Sequence, residues 1–177
     1  MFDLQMFAEE QGKQAIHGKK IVYLFRPLKN AATNAAAVIA FTTENERTKS
    51  KDADSVATKD GTIRTPGASE TEITATALMA KGDTIIDDLE NAMDEDELVE
   101  CWEVNLEEPG TGENKFKATY WQGYVTEIGR TSSAEDFAEA SVTYAANGKG
   151  AKGEATVTTD QQEMAAYVFK DTTATGA

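Results

Sequence analysis

Apolar residues in this chain come in short alternating runs separated by long polar stretches, and most runs have the period of a strand. Over residues 19–26, Ile21, Tyr23 and Phe25 alternate with Val22, Leu24 and Arg26, and Pro27 ends the run. β-Branched and aromatic side chains at both parities predict a strand covered on both faces. Residues 36–43 predict a second strand. Residues 44–68 then hold almost no apolar side chains and close on Thr65, Pro66 and Gly67, which predicts a long connection. Connections beyond about 15 residues are usually functional or disordered. Alternation resumes over residues 70–78, with Ile73, Ala75 and Ala77 on one face and Thr74 and Thr76 on the other.

One segment has helical period. Ile85, Ile86, Leu89, Ala92 and Met93 fall on one stripe and predict a helix over residues 83–95. Asp83 can cap its start, while Asp87, Asp88 and Glu90 face water. Residues 94–97 are all acidic, which the macrodipole disfavours at a C-terminus, so that end is expected to fray.

The second half reads as strands. They cover residues 98–106, then, after a turn at 107–112, a long run at 116–128. In that run Phe116, Ala118, Tyr120, Tyr124 and Ile128 share one face, opposite Lys117, Trp121, Val125 and Glu127. Gly123 inside it predicts a bulge or a close backbone approach. Ala138, Ala140, Val142 and Tyr144 alternate with Glu139, Ser141 and Thr143, and the Gly-rich residues 148–153 read as a hairpin turn before a short closing strand at 150–158. The sum is about seven strands and one helix, an α+β, mainly β domain over residues 19–158. Residues 1–18 form an N-terminal arm, where Phe2, Leu4 and Phe7 are possible anchors on a neighbour, and residues 159–177 form a C-terminal arm or tail.

Composition narrows the function. Leu, Ile, Val and Phe together number 31 of 177 residues and the net charge is −14, so the core is thin. So acidic a chain is no ordinary binder of nucleic-acid backbones, whose affinity comes from Lys and Arg. No apolar run reaches membrane-span length, and the N-terminus lacks the pattern of a signal peptide. Cys101 and His17 are each the only residue of their type, which excludes a disulfide within the chain and a Cys- or His-rich metal site. A Cys101–His17 nucleophile pair is formally conceivable, but Cys101 reads as a buried strand residue and His17 as solvated. Phosphate-loop, nucleophile-elbow and dinucleotide fingerprints are missing, so the expectation is a non-enzymatic protein without cofactors.

Charge is distributed unevenly. Residues 82–114 carry thirteen acids and no Lys or Arg; Asp87, Asp88, Glu90, Asp94 and Glu95 are the first part of that belt. Residues 44–68 balance five bases (Arg47, Lys49, Lys51, Lys59, Arg64) with five acids, and Arg47, Lys49 and Lys51 would project together in an extended segment. Two readings stand: a solvated acidic face beside a flexible loop, or a docking pair repeated between identical copies. A calcium site in the belt lacks the residue order of an EF-hand loop.

The order of these elements resembles the major tail (tail tube) proteins of long, non-contractile-tailed bacteriophages. The resemblance covers roughly residues 16–158. It rests on the early strand at 18–25, the long loop, the helix leading into 100–104, and most specifically on GYVTEIGRTSSAEDFAEASVTY at 123–144. It implies a tail-tube-type β-sandwich with one flanking helix and a long inter-ring loop. Six copies would close a ring, and rings would stack around a tape measure protein between tail terminator and distal tail proteins. DNA would later pass, without specific binding, down an acidic lumen. Candidate lumen-facing acids are Glu127 and Glu139, then Glu100 and Glu103, and the candidate inter-ring contacts are the five bases of residues 44–68. Two other classes remain open at this point: a secreted or surface carbohydrate-binding β-sandwich, and an acidic DNA mimic that inhibits a nucleic-acid-binding protein.

Overall fold

A computed structural model describes residues 14–165. Its strands are β1 (Ile21–Pro27), β2 (Ala37–Val38), β3 (Thr42–Thr58), β4 (Gly61–Leu78), β5 (Val99–Pro109), β6 (Lys115–Thr131), β7 (Glu139–Ala146) and β8 (Ala151–Thr156). The helices are α1 (Ile85–Asp94) and the short α2 (Thr159–Ala165). Every pairing is antiparallel, in the order β2-β1-β5-β6-β7-β4-β3, with β8 beside the first half of β6. Among the described residues no helix is long and apolar enough to cross a membrane.

β6 organises the sheet. Its first half pairs with β5 on one edge and β8 on the other, and its second half passes to β7. The handover falls at Gly123, which stands opposite both Val99 and Ala146. A Cβ there would lie 2.1 Å from the carbonyl oxygen of Ala145, so only glycine lets the strands approach so closely. The sheet folds over itself, and Tyr23, Phe25, Val99, Cys101 and Trp121 pack against Ile73, Ala75, Val142 and Tyr144, with Leu89 and Ala92 of α1 in the same core. The Tyr144 hydroxyl donates to the Val99 carbonyl at 3.0 Å inside it. A second, smaller core joins Val22, Leu24, Val104 and Val157 on the other face of β1 and β5. The run of apolar residues in β1 thus serves two cores.

Several expectations change here. Residues 44–68 are not an unstructured connection. They lie in a continuous β3–β4 ribbon turning at residues 58–61, with Val56 opposite Ile63 and Thr58 opposite Gly61. Beyond its root both faces of this ribbon meet water, so no alternation marks it in the sequence, and backbone pairing is its main support. The predicted strand at 36–43 is only two residues of β2, followed by Phe41 at φ 52° before β3. Residues 107–109 continue β5, and the turn follows them. A register shift between Val125 and Glu127 reverses the faces of β6, so Ile128 joins Trp121 and Val125 at the main core while Tyr124 is exposed. The Gly-rich turn after β7 makes no hairpin with β8, which pairs with β6 instead. The strands number eight.

The helix runs from Ile85 to Asp94, slightly inside the expected limits. Asp83 does act at its start: one carboxylate oxygen accepts from the Ile85 amide at 3.1 Å and the other from the Ala40 amide at 3.0 Å. The acidic C-terminus closes instead of fraying. Asp96 adopts φ 54°, its amide donates to the Met93 carbonyl, and the Glu97 amide donates to the Ala92 carbonyl, the paired bonds of a Schellman ending. Lys29 supplies the missing positive charge, reaching Glu95 at 2.9 Å and Glu97 at 2.8 Å.

Candidate assembly surfaces

The β3–β4 ribbon is the most exposed part of the described chain. β4 is paired on both edges over Thr71–Leu78, but residues 61–70 pair with β3 alone. That free part is roughly 30 Å long at strand rise, and residues 47–68 are exposed throughout. Two-stranded ribbons without a packed face are marginal in water. Lys49, Lys51, Lys59 and Arg64 lie on it without an ion pair among the described residues. Arg47 differs. It sits at the ribbon's root, stacks over the Trp121 ring, and its Nε donates to Glu103 Oε2 at 2.5 Å. The Tyr23 hydroxyl donates to the same oxygen at 2.6 Å. Burial first, and then the Glu103 carboxylate, push the Tyr23 hydroxyl far above its ordinary pKa, while the bond to Glu103 raises that of Arg47. Three strands are thereby tied at one rim of the core.

The acidic belt also has partners that spacing along the chain did not reveal. Arg130 of β6 pairs with Asp87 at 2.7 Å and with Glu90. Glu95 is held below the usual carboxylate range by its bond to Lys29. Asp88 and Asp94 have no ion pair among the described residues.

Of the four candidate lumen acids, two are committed inside the subunit. Glu100 is 6 % exposed; its Oε2 receives two bonds from Arg26, both at 2.7 Å, and its Oε1 receives the Tyr120 hydroxyl at 2.8 Å. Arg26 in turn lies over the Trp102 ring, 5.1 Å from its centroid. Glu103 holds Tyr23 and Arg47. Glu100 and Glu103 therefore fail as free charges, because each has cations or donors across the sheet that neutralise it. Glu127 and Glu139 are exposed, opposite Thr143 and Thr131.

Apolar surface is what the sequence reading missed. Val56 and Ile63 are 56 % and 60 % exposed on the ribbon, and Phe41, Met79 and Phe137 are exposed at the far end of β3, β4 and β7. The only available signal was an aliphatic residue inside a polar run. The possible anchors Phe2, Leu4 and Phe7 lie outside the described residues. Among the described residues, no group of three or more His, Cys, Asp or Glu side chains could hold a metal. Cys101 is fully buried, and burial raises its thiol well above the ordinary value, so it does not form a reactive pair.

A family model described as phage tail tube protein matches residues 15–152. The chain belongs to the phage tail tube protein family. It is also 34 % identical over 143 residues to a putative tail protein of Staphylococcus phage phiMR25, covering 78 % of this chain and 74 % of that one. Among solved structures, the SPP1 tail tube has the same fold, with TM-score 0.71, 20 % identity, and coverage of 92 % of this chain and 95 % of that one. The tail of an empty gene transfer agent particle, refined with C6 symmetry, aligns at TM-score 0.59 and 15 % identity, over 77 % of this chain and 98 % of its own. This tail tube subunit is thus a structural component of the virion tail, with the mainly β fold that its sequence predicted.

Proposed function

We propose that six copies of this tail tube protein close a ring, and that rings stack into the tube of a long, non-contractile tail through which genomic DNA passes. The β3–β4 ribbon carries this reading. A ribbon exposed over residues 47–68 has no surface of its own subunit to pack on, and a neighbouring ring supplies one. The six-fold gene transfer agent tail of similar fold supports the ring size. Lys49, Lys51, Lys59 and Arg64 make the inter-ring contacts with the acidic belt of the next copy. Single exposed pairs contribute only about 0–1 kcal/mol, but a stacked ring repeats each of them several times. Glu127 and Glu139 face the lumen, where negative charge keeps DNA phosphates from adhering. A tape measure protein fills the tube during assembly in the host cytoplasm, and tail terminator and distal tail proteins close its ends.

Electron microscopy of the purified protein tests this directly. Tubes with six-fold rings are expected, and Lys49→Glu with Lys51→Glu should give folded subunits that stay unstacked. A monomer at high protein concentration, or normal tubes from the double variant, overturns the corresponding part.

A further inference from the structure

The ribbon carries an apolar pair in a place where polar residues would suffice. Val56 and Ile63 are directly opposed across β3 and β4, so their side chains share one face a few residues from the tip. Both are more than half exposed. By strand alternation Val56 faces away from Lys49 and Lys51. The ribbon therefore offers Lys49 and Lys51 on one side and an aliphatic knob, with Asp54 next to it, on the other.

A matching surface lies at the opposite end of the same strands. Phe41 precedes β3 and accepts the Leu78 amide, Met79 follows β4 and donates to the Ala138 carbonyl, and Phe137 precedes β7. Three adjacent strands thus end together, with Phe41 at 70 %, Met79 at 43 % and Phe137 at 80 % exposure. Sixteen residues of β4 and its end, roughly 50 Å of strand, separate Ile63 from Met79, so the two surfaces do not meet within one copy.

Resting on the tube reading, we infer that the Val56–Ile63 pair of one copy seats on the Phe41–Met79–Phe137 end of another copy. Knob and receiving surface differ, so the contact is head-to-tail, and its repetition extends a stack instead of closing a dimer. Electrostatics favours the same pairing. The receiving end is negative, with Asp83 close after Met79 and Glu135 and Asp136 just before Phe137 against the single Lys81, while residues 44–68 are neutral in a chain of net charge −14. A neutral ribbon approaches this end with less repulsion than the acidic chain as a whole would. Apolar burial then supplies what screened surface charges do not: a contact that persists at high salt.

Two single-cysteine variants test the contact, because the native Cys101 is buried and does not compete. Equimolar I63C and F137C are assembled into tubes and treated with a short bismaleimide. Cross-linked dimers that need both variants are expected. Tubes that cross-link only within I63C, ribbon to ribbon, or not at all, overturn the inference and leave the tube reading intact. Wild-type protein that forms no tubes overturns that reading, and this inference with it. In parallel, Val56→Asp with Ile63→Asp should keep the wild-type Tm and raise the critical concentration for assembly by about tenfold or more, the equivalent of losing one buried aliphatic side chain. An unchanged critical concentration also overturns the contact.

Discussion

Arg47 of β3 and Glu103 of β5 are joined across the rim of the main core, Nε to Oε2 at 2.5 Å, although 56 positions separate them in the chain. Glu103 Oε2 also holds the buried Tyr23 hydroxyl. This bond separates Arg47 from the other bases of the ribbon. Arg47→Glu would place a second carboxylate at the rim and is expected to cost about 1–2 kcal/mol of stability, read by urea denaturation. Lys49→Glu and Lys51→Glu should leave the urea midpoint unchanged, since neither side chain has an ion pair in the described structure. Equal losses at all three positions would show that the rim contact is not structural.

The Arg26–Glu100 pair should behave as a buried one. Glu100→Ala leaves the guanidinium of Arg26 and the Tyr120 hydroxyl without their acceptor, with an expected loss of about 3 kcal/mol. The double variant Arg26→Met with Glu100→Met should recover a large part of it, because no unpaired charge then stays behind. A double-mutant cycle measures the coupling.

Gly123→Ala tests the close approach of β6 and β7. The added methyl meets the backbone of Ala145 and Ala146 and the ring of the fully buried Tyr144, so the strands must separate. The expected loss is about 2–3 kcal/mol, seen as a lower Tm. Gly153→Ala, where a Cβ meets nothing within 4 Å, is the control and should change little.

Asp96 holds the left-handed position that ends α1, at φ 54°, as one of four consecutive acids at 94–97, with Lys29 as counterion to Glu95 and Glu97. Asp96→Gly relieves the backbone and removes a negative charge from the helix C-terminus. A gain of about 0.5–1 kcal/mol is expected in thermal unfolding.

Acid should weaken the turn between β5 and β6. The Glu154 carboxylate accepts the Thr111 amide and hydroxyl, bonds that lower its pKa, the amide bond contributing most. A carboxyl whose folded pKa is depressed stabilises the fold above its unfolded pKa, near 4.5 here, and that stability is lost as pH falls through the folded value. Glu95, lowered by Lys29, acts in the same direction. Thermal unfolding from pH 7 to pH 3 should therefore fall less steeply in Glu154→Gln than in wild type. Both groups are exposed and the difference is small.

Short-range pattern was sufficient for much of this protein. The alternation of Ile73, Ala75 and Ala77, the stripe of Ile85, Leu89 and Ala92, and the two-faced run of β1 each declare which side meets the core, because burial repeats at the period of the element. Gly123 announced a close approach by lacking a side chain. From those signals the fold class could be read, while the family came from the resemblance of the element order and of residues 123–144 to tail tube proteins. The ribbon could not. Its apolar residues are not buried, so hydrophobic period is silent, and only the backbone pairing of β3 with β4 reveals it. The β6 bulge after Val125 turned Ile128 to the main core, since one extra residue reverses every later position, while Tyr124 before it stays opposite Trp121 and Val125. Tertiary structure alone decided which charges are free: Glu100 and Glu103 find Arg26 and Arg47 across the sheet, 74 and 56 positions away, whereas Glu127 and Glu139 find no ion pair among the described residues. Charge in a sequence is a count, but its availability depends on which strands the fold sets side by side.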